Sequence, residues 1–237
     1  MRLADFLERV EETNRSIEIY APQPQMELVD QFEHRNITTE YRSLPDASDD
    51  GFLIVHENGT FHASIGLSAV REFLEPPIPE PWNDHFVGAE YSRLLEILEN
   101  TLTHPLSRRQ LLATARDIEH RAWHIGTGTL RAGFQQFSAF DHQLTVYDRL
   151  GRETDLEIHV YGQSDWTAPI ALAPTIHTET AEEIGEFWFL VYDGGDDPRG
   201  SYALLAKEGS YGEFTGFWSS DPILVADLDA YLLETYG

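Results

Sequence analysis

Apolar residues recur at helical spacing over residues 3–14, where Leu3, Phe6, Leu7 and Val10 share one face. The pattern then switches to alternation: Ser16–Ala21 reads SIEIYA, a strand with two unlike faces. Helical spacing returns over Pro24–His34, with Met26, Val29 and Phe32 facing inward, and Ile37–Arg42 is predicted as a strand. Gly51–Glu57, Asn58-Gly59 and Thr60–Ile65 together predict a hairpin, because Asn-Gly accepts the positive φ angles of a type I′ turn. A short helix over Ser68–Leu74, capped by Ser68, closes the unit. Four prolines then fall within residues 76–81, where neither a helix nor a central strand can run.

Beyond this break the spacing predicts a helix over Phe86–Leu102 and a second over Ser107–Ile125. Ser107 is a suitable N-cap for the second helix and Gly126 a suitable stop. A strand over Thr129–Phe134 and a helix from Gln136 to Arg152 follow, then strands over Leu156–Tyr161 and Thr175–Thr178. Phe187–Tyr192 reads FWFLVY, the unbroken apolar run of a strand buried on both faces. Tyr202–Lys207 is its return strand, and Asp221-Pro222 opens a terminal helix.

The expected fold is α/β (α+β), a mixed, largely antiparallel sheet with packed helices. Its expected regions are an N-terminal α/β lobe (1–75), a Pro-rich linker with a connecting helix (76–103) and a larger domain (104–237). Residues 1–75 and 136–236 share an order of elements that pairs SIEIYA with LEIHVY and GFLIVHE with FWFLVY. Two related lobes from an internal duplication, and two α/β units alike by chance, both fit that order.

Charge changes the picture of partners. The 237 residues carry 41 acids against 16 bases, a net charge of −25, and 15 of the bases are Arg, Lys207 being the one Lys. Such a chain has no overall field for phosphate backbones or anionic membranes, which argues against direct nucleic-acid binding and membrane contact. An acidic surface almost without Lys fits work in concentrated salt, where the Debye length shrinks to about 3 Å at 1 M and surface carboxylates stop repelling. The absence of Cys excludes disulfides, thiolate metal sites and Cys nucleophiles. No leader pattern and no long apolar stretch is visible, so the expected location is cytoplasmic.

The sharpest local feature is a reversal of that charge. Residues 101–140 hold five Arg (Arg108, Arg109, Arg116, Arg121, Arg131) against Asp117 and Glu119, a net +3. His104, His120 and His124 lie in the same stretch, and Arg109, Arg116 and His120 share a helical stripe. Two readings stand: an anion site or docking face built on guanidinium forks, or internal ion pairs that hold an acidic fold together. His120 and His124 have metal-ligand spacing, but Glu119 precedes the pair instead of lying within it, so no metal site is assigned. The aromatic set Phe187, Trp188, Phe189, Tyr192, Phe214, Phe217 and Trp218 reads either as core or as a pocket for a planar ligand, with Trp123 and Tyr161 contributing. Gly126-Thr127-Gly128 follows a helix and lacks a third spaced glycine, which rejects a dinucleotide loop.

Glu186–Val191 (EFWFLV), Gly216–Pro222 (GFWSSDP), the helix Arg108–Arg116 with Ile118-Glu119 and Arg121-Ala122, and Phe134-Gln135 resemble the DICT sensory domain. The resemblance covers residues 104–237, and Gly216–Pro222 is its most specific piece. The part before it is similar to the N-terminal extension of stand-alone DICT proteins of extremely halophilic archaea. The resemblance implies a sensory module for signalling, and it carries no established ligand, cofactor or catalytic residue.

The expectation is therefore a non-catalytic signalling protein that takes a protein partner or a small ligand. Candidate contact residues are Arg108, Arg109, Arg116, Arg121, Trp123, His124, Tyr161, Trp188 and Trp218. A transcriptional regulator acting through protein contacts is one alternative. A decayed phosphodiesterase of the phospholipase D type is another, although such a site needs a His and a Lys two apart, and Leu205 stands two before Lys207.

Overall fold

The computed structural model describes residues 1–10, 15–33, 37–44, 50–83, 95–100, 103–165, 171–209 and 212–237. Two mixed sheets organise them. The first contains β1 (Arg15–Ala21), β2 (Thr38–Ser43), β3 (Phe52–Glu57) and β4 (Thr60–Gly66) in the order β2-β1-β3-β4. The pair β1/β2 is parallel, whereas β1/β3 and β3/β4 are antiparallel. At the β3–β4 turn Asn58 and Gly59 take φ of 51° and 77°, as the hairpin requires. Helices α1 (Leu3–Arg9), α2 (Met26–Glu33) and α3 (Leu67–Leu74) accompany this part of the chain.

The second sheet holds β5 (Thr103–Ser107), β6 (Thr127–Gln136), β7 (Asp155–Gln163), β8 (Thr175–Thr178), β9 (Phe187–Tyr192), β10 (Tyr202–Glu208) and β11 (Glu213–Ser219). Their order is β5-β11-β10-β9-β6-β7-β8. Among the described residues only the pairs β6/β7 and β7/β8 of this sheet are parallel. Five helices belong here: α4 (Arg108–Ile125), α5 (Phe137–Asp141), α6 (Leu144–Glu153), α7 (Glu182–Glu186) and α8 (Pro222–Tyr236).

The apolar run of β9 is explained by two cores, one on each face of the second sheet. Leu190 and Tyr192 join a cluster that also holds the inner face of the first sheet and α4, while Phe187, Phe189 and Val191 join a cluster with α1 and α8. Tyr202, Leu204 and Ala206 of β10 point into the first cluster, and Ala203 and Leu205 into the second. The first helix thus packs on the far face of the second sheet. The Leu3 backbone N–H donates to Glu183 at 2.7 Å, and Phe6 lies 5.9 Å from the Tyr231 ring.

Both sheets contain one four-strand arrangement. The series β2-β1-β3-β4 runs parallel, antiparallel, antiparallel, and so does β7-β6-β9-β10. The strand matching SIEIYA is therefore β6, not LEIHVY, which shifts the expected correspondence by one strand. A pattern of apolar positions cannot reveal this, because it carries no information on which strands are neighbours.

Other expectations need correction. Met26 is 63 % exposed at the start of α2, whose buried face runs instead through Leu28 and Phe32. Gly66, not Ser68, is the N-cap of α3, and no side chain closes that end. The helix expected over 136–152 is two helices, α5 and α6, separated by His142-Gln143. The sequence pattern does not mark strands β5 and β11 or the short α7 as elements. Of the helix expected over Phe86–Leu102, residues 86–94 and 101–102 lie outside the described residues, and residues 95–98 are helical.

Candidate functional site

Helix α4 begins and ends as its sequence dictates. The Ser107 hydroxyl accepts from the Gln110 N–H at 3.2 Å, Gln110 reaches back to the Ser107 N–H at 3.0 Å, and Gly126 ends the helix with φ 76°. Residues 113–119 are all buried, so the charged side chains here need partners inside the protein.

They have them. Arg116, 5 % exposed, pairs with Glu119, 1 % exposed, and its other terminal nitrogen donates to Gln143 Oε1. Arg121 donates to Asp117 at 2.8 Å and lies 4.9 Å from the Tyr202 ring. Arg131 on β6 donates to Asp229 of α8 at 2.7 Å and to the Tyr161 hydroxyl at 3.1 Å. Arg109 donates to the Pro76 carbonyl at 2.8 Å. Internal pairing therefore accounts for Arg116, Arg121 and Arg131, and a backbone carbonyl holds Arg109. Arg108 has no ion pair among the described residues, and its guanidinium stands 5.9 Å from the Trp188 ring.

The exposed stripe of α4 is covered by the Pro-rich segment, which behaves as a strap. His120 Nδ1–H donates to the Pro81 carbonyl at 2.7 Å. Trp82 packs edge-on against Trp123 at 5.8 Å, and the Arg149 guanidinium sits 4.0 Å from the Trp82 ring. Burial holds the His120 imidazole below its ordinary range, with the neighbouring His124 adding to this at 4.1 Å between rings. Trp123 and His124 therefore belong to the strap contact and its rim.

Tyr161 is fully buried and stacks on His177 at 4.5 Å, while Nδ1 of His159 and Nε2 of His177 are 2.9 Å apart. One of these nitrogens donates to the other, so the pair excludes two protonated rings. Burial pushes both imidazoles down, and Arg131 reinforces the effect. The folded state thus binds fewer protons than the unfolded chain below about pH 6.5. Stability is complete above that pH and is lost as pH falls through the depressed values. Urea midpoints are expected to drop between about pH 7 and 5, with a shallower drop in His159→Gln/His177→Gln. An unchanged slope in that variant would show that the pair contributes nothing.

One side of the second sheet remains open at the start of α4. An inner cavity of about 200 Å³ is lined by Arg108, Leu112, Phe134, Gln135, Ala139, His142, Gln143 and Trp188. An adjoining outer cavity of about 470 Å³ shares five of these residues (Arg108, Phe134, Gln135, Ala139, His142) and adds Gln136, Ser138, Gly185 and Glu208. Gln135 is buried with φ 61°, a left-handed conformation that costs a non-glycine residue roughly 1 kcal/mol or more. That backbone turns its side chain so that Nε2 donates to Glu208 at 2.9 Å and to the Glu186 carbonyl at 3.3 Å.

Of the residues singled out from the sequence, Arg108 and Trp188 meet at this pocket. Trp218 is 1 % exposed and donates its indole N–H to the Leu95 carbonyl at 2.7 Å, so it is core. Gln135, His142 and Gln143 join them at the pocket without any mark in the sequence as contact residues. Phe134-Gln135 carried part of the resemblance, but nothing in the local pattern signals a glutamine with positive φ. Among the described residues no cluster of His, Cys, Asp or Glu gathers to hold a metal ion, and no helix is long and apolar enough to cross a membrane.

The family model DICT, "Sensory domain in DIguanylate Cyclases and Two-component system", matches residues 91–208. Every lining residue of both cavities falls inside that range. Gly216–Pro222, read from the sequence as the most specific piece of the resemblance, falls outside it. No curated protein matches the chain. Among solved structures, the chain is similar to a polyphosphate kinase from Porphyromonas gingivalis, with 10 % identity and a TM-score of 0.40. That match covers 97 % of this chain and 47 % of the kinase, so the chain spans about half of the kinase's length.

Proposed function

We propose that this chain, which carries a DICT sensory domain over residues 91–208, is a non-catalytic receiver for a small molecule. Its ligand sits in the paired cavities beside Arg108 and Trp188, and its output passes to a protein partner. The observation that carries the reading is the exception in the charge pattern: of the five Arg in 101–140, only Arg108 lacks a hydrogen-bonded partner among the described residues, and it stands at a part-apolar pocket. The lining supports binding over turnover. Among the described residues Ser138 is its only hydroxyl side chain, and the hydrogen bond from Ser138 holds the Asp165 carboxyl below its ordinary range, so that hydroxyl serves Asp165.

A route for the signal is built into α4. Gln143 borders the inner cavity and accepts from Arg116, whose partner Glu119 lies one turn further along the helix. Arg109, beside Arg108 in sequence, holds the strap at Pro76. A ligand that prefers one placement of α4 shifts the population of strap positions that a partner meets.

The test is a thermal-shift titration with ring-containing metabolites on the wild-type protein and on Ala139→Trp, which fills the cavities without removing a polar group. At least one compound is expected to raise the midpoint of the wild type and leave the variant unmoved. A panel that shifts neither protein, or both equally, would sink the pocket.

A further inference from the structure

Resting on that pocket, we infer that its ligand is a small aromatic carboxylate, with the ring in the inner cavity and the carboxylate on Arg108 and Gln143. The polar groups of the inner cavity have an uneven supply of donors and acceptors. Arg108 is donor-only and unpaired among the described residues. The orientation of the Gln143 amide is fixed, because Arg116 offers only donors and so must face Oε1. This leaves the Gln143 NH₂ as a second donor without a partner among the described residues. His142 can supply a third from either ring nitrogen. Among the described residues no carboxylate lines the inner cavity. Glu208 lines only the outer one and already accepts from Gln135.

A cluster of donors on one side calls for an acceptor-rich group, and a planar guanidinium fork matches a carboxylate. The remaining walls are Leu112, Phe134, Ala139 and Trp188, two aliphatic side chains and two aromatic rings, together with Gln135, whose amide nitrogen is turned to Glu208 and the Glu186 carbonyl. Trp188 is partly buried and braced edge-on by Phe214 at 6.1 Å, which gives a flat ligand a supported indole to pack against. A cavity of about 200 Å³ takes a one- or two-ring body, and the adjoining outer cavity leaves room for substituents.

The experiment is calorimetric titration of the full chain with benzoate, phenylacetate and indole-3-acetate, each beside its neutral amide, at one ionic strength. Wild type, Arg108→Gln and Ala139→Trp are compared. Arg108 is an exposed side chain, so its replacement leaves the fold intact, which circular dichroism verifies. At least one carboxylate is expected to bind about tenfold or more tighter than its amide, the scale of a charge-assisted hydrogen bond. Arg108→Gln should bring the two within about twofold, and Ala139→Trp should abolish both. If amides bind as well as carboxylates and Ala139→Trp still blocks them, the ligand class is wrong and the pocket stands. If no ring of either charge binds, or Ala139→Trp fails to block binding, the pocket reading falls with it.

Discussion

Glu119→Ala is expected to remove about 3–5 kcal/mol of stability, the range for taking one partner from a buried ion pair. The size follows from the surroundings. Glu119 and Arg116 are 1 % and 5 % exposed, so the orphaned guanidinium stays buried with the neutral Gln143 amide as its hydrogen-bond partner. Tyr147 is fully buried beside them, and burial, followed by the Glu119 charge and the hydrogen bond to it, drives its hydroxyl pKa well up. That hydroxyl loses its acceptor in the same substitution. For a chain of this length the thermal midpoint should fall by roughly 10 °C, and urea denaturation gives the free energy directly. The double change Arg116→Met/Glu119→Leu should recover most of the loss, because two apolar side chains remove both buried charges at once. A loss below about 1 kcal/mol in the single variant, the scale of a surface pair, would show that the site is wet.

Trp218→Ala should cost about as much, roughly 3–5 kcal/mol, through the cavity that a fully buried indole leaves. It has a second consequence that an ordinary core truncation lacks. Trp218 donates to the Leu95 carbonyl at 2.7 Å, its own carbonyl accepts from Asn100 N–H at 2.8 Å, and Ser220 donates to Glu99 at 2.7 Å. The end of β11 is therefore what fastens residues 95–100 to the second sheet. Trp218→Ala should raise amide exchange in 95–100 beyond the change elsewhere, because the lost indole is one of these three fastenings. Trp218→Phe should keep most of the packing but orphan the Leu95 carbonyl, at about 1–3 kcal/mol. Uniform exchange changes in Trp218→Ala would mean that residues 95–100 are held by something else.

Much of the fold was legible because it is written locally. The N-cap and stop of α4 depend on Ser107, Gln110 and Gly126, all within reach of the helix they bound. The β3–β4 hairpin depends on Asn58-Gly59. The burial of β9 on both faces shows in six successive apolar residues. Less legible was the site. Arg108, Phe134, His142 and Trp188 are separated by up to eighty residues and meet only because β9 and β6 are neighbours and α5 follows directly on β6. The two candidate residues that met there were an Arg and a Trp, types that favour binding surfaces. Trp218 has the same chemistry and lies in the core, so type alone did not separate them.

The sequence by itself determined the class of fold, the caps of α4, the acidic background and the place where that background reverses. Each of these depends on composition or on residues within a few positions of one another. The tertiary structure decided which charges the fold consumes and which one it leaves at the pocket. Arg131 meets Asp229 across 98 positions, and Arg109 meets Pro76 across 33, while Arg108, next to it in sequence, makes neither kind of contact among the described residues. The reason is physical: a buried charge must find its partner in space, and only the packing of strands and helices sets who is near.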